Sequence, residues 1–358
     1  MKTKLVYVLT CASEGNYIEQ ALLAIWSARY HNPSAQIILF VDDITDGVIY
    51  EGRDEILNYV SEKVVIPFDA DKSMVYRSRW IKTSVRRLIN GDFLFVDCDT
   101  ITTRNLDDID SLSCMMGAVP DSHLSVPEFG RALLKSSKVK VEPVGINLEK
   151  ELFYFSSGVL YVKDTPETRA LYEKWHNTWQ EGVGKGVNID QPSLAKANIE
   201  AGHLIERIDD RFNCVIYTEP DFAKDASILH FTAFRNPSWL FSKRVLDLIR
   251  KEGIKEWVEP FILNPVTTYI PFRYSISRMS INGLIRSIKT MAQGARSYSL
   301  HVDDTFSDMK SSDRWKKKTK AFYEKQHFFL GSVVCLLPIW ISVKRNHSNP
   351  PVSNICSL

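Results

Sequence analysis

What the chain lacks narrows it first. Its six cysteines (Cys11, Cys98, Cys114, Cys214, Cys335 and Cys356) contain no C-x-x-C pair and no metal-type spacing. That is the pattern of reduced, mostly buried thiols in a reducing compartment, and it excludes a disulfide framework. An excess of one charge is missing too. Lys and Arg number 45 against 43 Asp and Glu, and a net charge of +2 points to no nucleic-acid partner. Up to about residue 325 there is no apolar run of the roughly 20 residues that a spanning helix needs. The run LVYVL (5–9) is too short for the core of a signal peptide, and Thr10 is large for the residue before a cleavage site. It is expected to be a first strand. No internal repeat or low-complexity tract is present.

What is there describes a folded α/β protein. The 358 residues are 44% hydrophobic and 25% charged, enough for one large domain and an appendage or for two ordinary domains. LVYVL is followed by NYIEQALLAIWSARYHN, which places Ile18, Ala21, Leu22, Ile25 and Trp26 on one helical face. IILFVDD, a short helix at 54–61, KVVIPF, a helix at 74–90 and FLFVD continue the alternation. This rhythm predicts an open, mostly parallel sheet flanked by helices, with ligands beyond the carboxyl ends of the strands. Asp42, Asp43, Asp97 and Asp99 all fall there. Later strands are expected at 157–163, 212–217 and 227–231, with helices near 166–180 and 191–199.

The stretch FLFVDCDT (93–100) ends an apolar run on Asp97 and Asp99, with Cys98 between them. Alternate residues of a strand share a side, so the two carboxylates can converge where pairing stops. Mg²⁺ and Mn²⁺ take such oxygen ligands and keep open positions for phosphates. The same acids approach the D-x-D-x-[TV] pattern of haloacid dehalogenase phosphatases, with a nucleophile first and a general acid second. Asp209 and Asp210 would then be the later acidic pair. Two features oppose that reading: three strands precede the motif, and Ile101 stands where Thr or Val belongs. A strand simply running out into a polar loop is the third reading.

Five elements in order resemble the GT-A glycosyltransferases, and within them glycosyltransferase family 8. They are Asp97-Cys98-Asp99, then Phe155-Ser156-Ser157-Gly158-Val159 for F-N-[SA]-G-V, Asp190-Gln191 for D-Q, and Arg211-Phe212-Asn213 for R-[WF]-N. His230-Phe231, followed by Arg235, Asn236, Pro237 and Trp239, stands for H-[YF] and a Lys-Pro-Trp stretch. The resemblance covers roughly 4–240. It departs at Ser156, where the family has Asn, at Ala233, where it has Gly, and at Arg235, the nearest substitute for a phosphate-binding Lys.

The resemblance implies a GT-A-like nucleotide-diphospho-sugar transferase fold. It implies retaining transfer of a hexose from a UDP-sugar to a hydroxyl of a glycan or lipid-linked saccharide. Asp97, Asp99 and His230 would hold Mn²⁺ or Mg²⁺, and Asp190 and Gln191 would sit at the sugar as the catalytic pair. Thr10, Cys11 and Ala12 would lie at uracil and ribose, Tyr17 against the base, and Asp42 at uracil. Cys98, Ser156, Ser157 and Arg235 would complete the donor site. Arg79 and Lys82, spaced i, i+3 in YRSRWIKTSVRR (76–87), share a helix face and are expected to reach the diphosphate. Arg86 and Arg87 are expected on the solvated surface. Asp190 also stands where it would cap the next helix, with Pro192 close behind it. A donor-binding homologue without turnover is the remaining alternative.

Past residue 240 the composition changes. Between Glu259 and Asp303 there is no acid, while Arg273, Arg278, Arg286, Lys289 and Arg296 are present. A helix through 276–292 would gather Ile281, Leu284, Ile285, Ile288 and Ala292 in one apolar arc beside cations, a pattern suited to an anionic membrane surface or to packing on the catalytic domain. RWKKKTK (314–320) precedes the apolar stretch 328–343, which is shorter than a span and interrupted by Pro338. The expected organisation is a catalytic domain at 1–240, a basic helical extension at 241–300 and a basic, apolar tail at 301–358. The expected location is the cytoplasmic face of a membrane, held peripherally.

Overall fold

The computed structural model describes residues 1–12, 15–50, 52–69, 71–215, 225–231, 241, 243–256 and 259–263. Arg235, Ala233, the end of the expected strand at 212–217, the helix at 276–292, the basic run at 314–320 and the apolar stretch at 328–343 lie outside the described residues.

The alternation read from the first third is realised as β1 (Lys4–Leu9), α1 (Tyr17–His31), β2 (Ile37–Asp42), the short α2 (Asp43–Asp46), β3 (Glu62–Ile66), α3 (Met74–Leu88) and β4 (Phe93–Val96). The short helix expected after residue 54 is a 3-10 turn, Asp54–Asn58. There follow β5 (Thr100–Thr102), β6 (Met116–Pro120), α4 (Arg131–Val141), β7 (Phe155–Val162), α5 (Pro166–Gly184) and α6 (Gln191–Glu200). The described chain closes with β8 (Ile205–Arg207), β9 (Cys214–Val215), β10 (Ile228–His230), α7 (Lys243–Glu252) and α8 (Glu259–Leu263).

Seven strands form one sheet in the order β3-β2-β1-β4-β7-β6-β8. The pairings of β1 with β2 and β4, of β2 with β3, and of β6 with β8 are parallel. Those of β7 with β4 and β6 are antiparallel, so the sheet is mainly parallel, as the alternation predicts. Alternate side chains of β1 feed two cores. Leu5, Tyr7 and Leu9 pack with α1, while Val6 joins Phe40, Phe95 and the α3 residues Ile81 and Val85. β5, β9 and β10 make a second, three-stranded sheet, in which His230 faces Thr100 across an antiparallel pairing.

Two expectations change. α1 buries more than one face: Ile18 through Ala28 are all enclosed, because β5, the turn at Asp54–Asn58, α7 and α8 pack on it as well as β1. Val245, Leu246, Ile249 and Ile262 belong to the same core as α1. Glu19 is buried there against Arg53 at 2.8 Å and Arg250 at 3.0 Å. The other change is Arg86, which is fully buried instead of solvated. Its guanidinium donates to the carbonyls of Ile89 and Gly91, closing the turn that α3 leaves open, and pairs with Asp164 at 3.3 Å. Arg87 is exposed, over the Trp80 ring. Among the described residues no helix is long and apolar enough to cross a membrane.

Candidate active site

The two acids of FLFVDCDT converge by a different route from simple strand alternation. β4 stops at Val96, and Asp97-Cys98-Asp99 turns the corner into β5, which belongs to the second sheet. Three backbone and hydroxyl bonds set that corner. Asp97 N donates to Gly158 O at 2.8 Å, Thr100 Oγ1 donates to Asp97 O at 2.8 Å, and Phe231 N donates to Asp99 O at 2.9 Å. The last bond brings β10 alongside, and with it His230. One ligand atom each from Asp97, Asp99 and His230 then lies within 4.8 Å of the others.

Gly158 explains why this crowding is possible. A Cβ there would overlap the Cε1 edge of His230 and stand 2.9 Å from Nδ1 and 3.0 Å from Asp97 Oδ2. His230 Nε2 is 3.0 Å from Asp99 Oδ1, and Nδ1 is 3.0 Å from Asn213 Oδ1. Burial pulls the imidazole pKa down, but Asp99, with Asp97 behind it, outweighs that and the net shift is upward. Burial lifts the Asp97 carboxyl above its ordinary range; Lys82 opposes this and Asp99 adds to it. Two carboxylates and an imidazole, mutually close, form a donor set suited to a hard divalent cation.

Asp190 approaches from the other side. Its backbone carbonyl is anchored by Trp175 Nε1 at 3.0 Å and by the first turn of α6. Its carboxylate makes no capping bond to α6. Instead it pairs with Arg79 at 2.9 Å and Lys82 at 3.3 Å. Burial alone would raise its pKa, yet Lys82 and Arg79 prevail and hold it at about 2. Lys82 is buried over the Phe95 ring and reaches Asp97 Oδ1 at 3.1 Å as well. The expected face shared by Arg79 and Lys82 therefore exists, and it is turned toward carboxylates. Gln191 Nε2 donates to Phe155 O at 3.0 Å, which fixes the orientation of its amide.

The remaining expected residues divide into two groups. Ser156 and Ser157 lie on β7 within this cluster: Ser157 Oγ is 3.5 Å from Lys82 Nζ, and Ser156 Oγ accepts from Asn213 Nδ2 at 3.1 Å. Cys98 donates to Val8 O at 3.4 Å, and burial raises its thiol pKa. Thr10, Cys11 and Ala12 follow β1, with Thr10 Oγ1 on Met74 O at 3.2 Å and Cys11 N on Thr45 Oγ1 at 2.8 Å. Tyr17 opens α1 and is half-buried. Asp42 is fully enclosed: Oδ1 caps α2 through Thr45 N and Oδ2 accepts from Arg77 Nε at 2.6 Å. The acidic pair needed for the phosphatase reading is engaged elsewhere, Asp209 capping its own turn and Asp210 pairing with Arg207 at 2.9 Å and His123 at 3.5 Å. Asn213 and Trp175 were not singled out from the sequence as working residues; for Asn213 the signal was present, as the last letter of R-[WF]-N.

This mainly parallel α/β fold, with an acidic corner after β4 and an aspartate at the head of α6, has the helix-flanked sheet and the clustered acids expected from the motif resemblance to GT-A glycosyltransferases. Among particular proteins, the chain is similar to glycosyltransferase GlyA of Streptococcus pneumoniae serotype 4, with 22% identity over 245 residues. The match covers 64% of this chain and 32% of GlyA, so the chain spans about a third of that relative. No family model matches. Similar solved structures include the bifunctional glycosyltransferase WbbM (14% identity, TM-score 0.46, 64% of this chain and 45% of that one). Another is the galactosyltransferase LgtC in complex with donor and acceptor sugar analogues (13% identity, TM-score 0.46, 72% of this chain and 99% of that one).

Proposed function

We propose that the chain is a metal-dependent glycosyltransferase that moves a hexose from a UDP-sugar to a hydroxyl of a glycan or lipid-linked saccharide, with retention at the anomeric carbon. The observation that carries this reading is the convergence of Asp97, Asp99 and His230 beside an ionised Asp190. Those three side chains would hold Mn²⁺ or Mg²⁺, whose chemistry at this point is to neutralise the leaving diphosphate. Asp190, kept ionised by Lys82 and Arg79, accepts hydrogen bonds from donor-sugar hydroxyls. Gln191, its amide held through Nε2 on Phe155 O, would stabilise oxocarbenium-like charge with its carbonyl oxygen. An amide is a poor nucleophile, so transfer is by front-face displacement. The acceptor oxygen bonds to C1 as the C1–O–phosphate bond breaks, and the leaving phosphate oxygen takes the acceptor's proton. The cations and apolar residues past Glu259 support a peripheral position on the cytoplasmic face of a membrane, where a lipid-linked acceptor is met.

Calorimetric titration of UDP with Mn²⁺ or with EDTA tests the site. Binding should require Mn²⁺ and vanish in Asp99→Ala. A wild type that binds no UDP with Mn²⁺ present overturns the donor-site assignment. Retention is checked by the anomeric configuration of the first product seen by NMR.

A further inference from the structure

The His230 ring has one seat and two nitrogens, and something must decide which nitrogen the acidic corner receives. Its Cε1 edge lies on Gly158, where a side chain would collide with it. Nε2 faces Asp99 and Nδ1 faces Asn213. Asn213 itself has no exposed surface and sits between the turn Asp210–Phe212 and β9. Both ends of its amide are occupied. Nδ2 donates to Ser156 Oγ at 3.1 Å, a hydroxyl that also accepts from Gly158 N at 3.2 Å, and Oδ1 stands 3.0 Å from His230 Nδ1. A carbonyl oxygen only accepts, so the nitrogen opposite it must carry the proton. Nε2 is then the nitrogen on the side of Asp97 and Asp99; it donates to Asp99 Oδ1 while no cation is bound, and a cation would take the place of that proton and receive the lone pair. Turning the amide over would reverse this. Nδ2 would donate to Nδ1, and the ring's proton would stay on Nε2, where it would block a ligand.

We propose that Asn213 is a positioning residue that holds His230 in the Nδ1–H tautomer, with Ser156 orienting its amide, so that Nε2 is presented to a divalent cation bound with Asp97 and Asp99. The inference rests on the metal-site reading above. It also gives Ser156, which replaces the Asn of the resembling family, an inward task. Such a partner behind a ligating imidazole typically changes metal affinity by about tenfold to a hundredfold when removed.

The test is Mn²⁺ binding, followed by the EPR signal of the free aqua ion, for wild type, Asn213→Leu and Asn213→Asp, with ¹⁵N-histidine NMR of the Mg²⁺-loaded wild type. Asn213→Leu should lose about tenfold or more in affinity. Asn213→Asp should recover most of it, because a carboxylate oxygen accepts the same Nδ1 proton. The NMR spectrum should show His230 protonated at Nδ1. The inference is overturned if Asn213→Leu binds Mn²⁺ as tightly as a binding-competent wild type, or if Asn213→Asp is as impaired as Asn213→Leu. A His230 protonated at Nε2 overturns it as well, and that measurement decides even where the Leu variant does not fold. A wild type that binds no Mn²⁺ sinks the metal site itself, a distinguishable failure that takes the inference with it.

Discussion

Lys82 touches two buried or half-buried aspartates, and they answer it in opposite ways. Asp190 is held at about 2, while Asp97 is pushed above its ordinary range by burial. Both carboxylates lie a little over 3 Å from the same ammonium, at 3.1 Å for Asp97 and 3.3 Å for Asp190. The difference lies in their second neighbours. Beyond Lys82, Asp190 is paired with Arg79, whereas Asp97 feels the anion Asp99 more strongly than either of the opposing cations His230 and Arg79. One aspartate is therefore held ionised by the protein, and the other keeps a burial penalty that a further cation would relieve. A site built this way keeps the sugar side charged and ordered before anything binds, and leaves the diphosphate side to be completed by a cation.

Removing the shared cation should have the largest effect. Lys82→Met strands Asp97 with Asp99 and leaves Asp190 only Arg79, and breaking a buried pair in this manner costs about 3–5 kcal/mol. Urea unfolding at pH 7 should show a loss of that size, partly recovered at lower pH as the stranded carboxyls protonate. A loss under about 1 kcal/mol, the range of exposed pairs, would mean that Lys82 is screened by water. Asp97→Asn breaks the comparison from the other side. Burial raises the Asp97 pKa although Lys82 opposes this, so the uncharged variant should melt no lower than wild type in EDTA. Turnover with a UDP-sugar should nevertheless fall by roughly 10²–10³-fold, the usual result of removing one electrostatic stabiliser. A variant that melts lower in EDTA would contradict the upward shift of Asp97.

How much of this was legible in the sequence depends on the distance over which each residue is fixed. β1, β2 and β4 announce themselves because each is an apolar run bounded by polar turns, and both faces of the sheet are covered there. β5 and β6 do not. Thr100–Thr102 is too short for any period, and Met116–Pro120 holds a glycine and a proline that argue against a strand. Arg86 reads as surface because it follows a helical basic run, and only the turn at Ile89 and Gly91 gives its guanidinium somewhere to go inside. The acids and His230 could be named from motif order, but their meeting depends on β10 pairing with β5 across more than a hundred residues of chain (His230 with Thr100). Asp42 shows the converse: a strand-end acid in the expected place, enclosed by Arg77 that no local pattern assigns to it.

Asp190 offers the smallest effect and the cleanest sign. Its carboxyl titrates at about 2 in the folded chain against an ordinary 3.8, so the folded state holds its proton less tightly than the unfolded one. A depressed acid of this kind adds stability that is fully present above about pH 4 and is lost as pH falls through about 2. The difference corresponds to about 2 kcal/mol, and the side chain is only 5% exposed, so little of it is screened. Asn cannot titrate. Between pH 4 and pH 2 the stability of Asp190→Asn should therefore fall less steeply than that of wild type, by about 2 kcal/mol over the interval, measured by urea unfolding at matched ionic strength. Parallel curves would show that Asp190 is not ion-paired as described, and with it would go the idea of a sugar side charged in advance. A steeper fall in the variant would reverse the sign of the comparison between the two aspartates, because Asp97 alone would then govern how this site responds to acid.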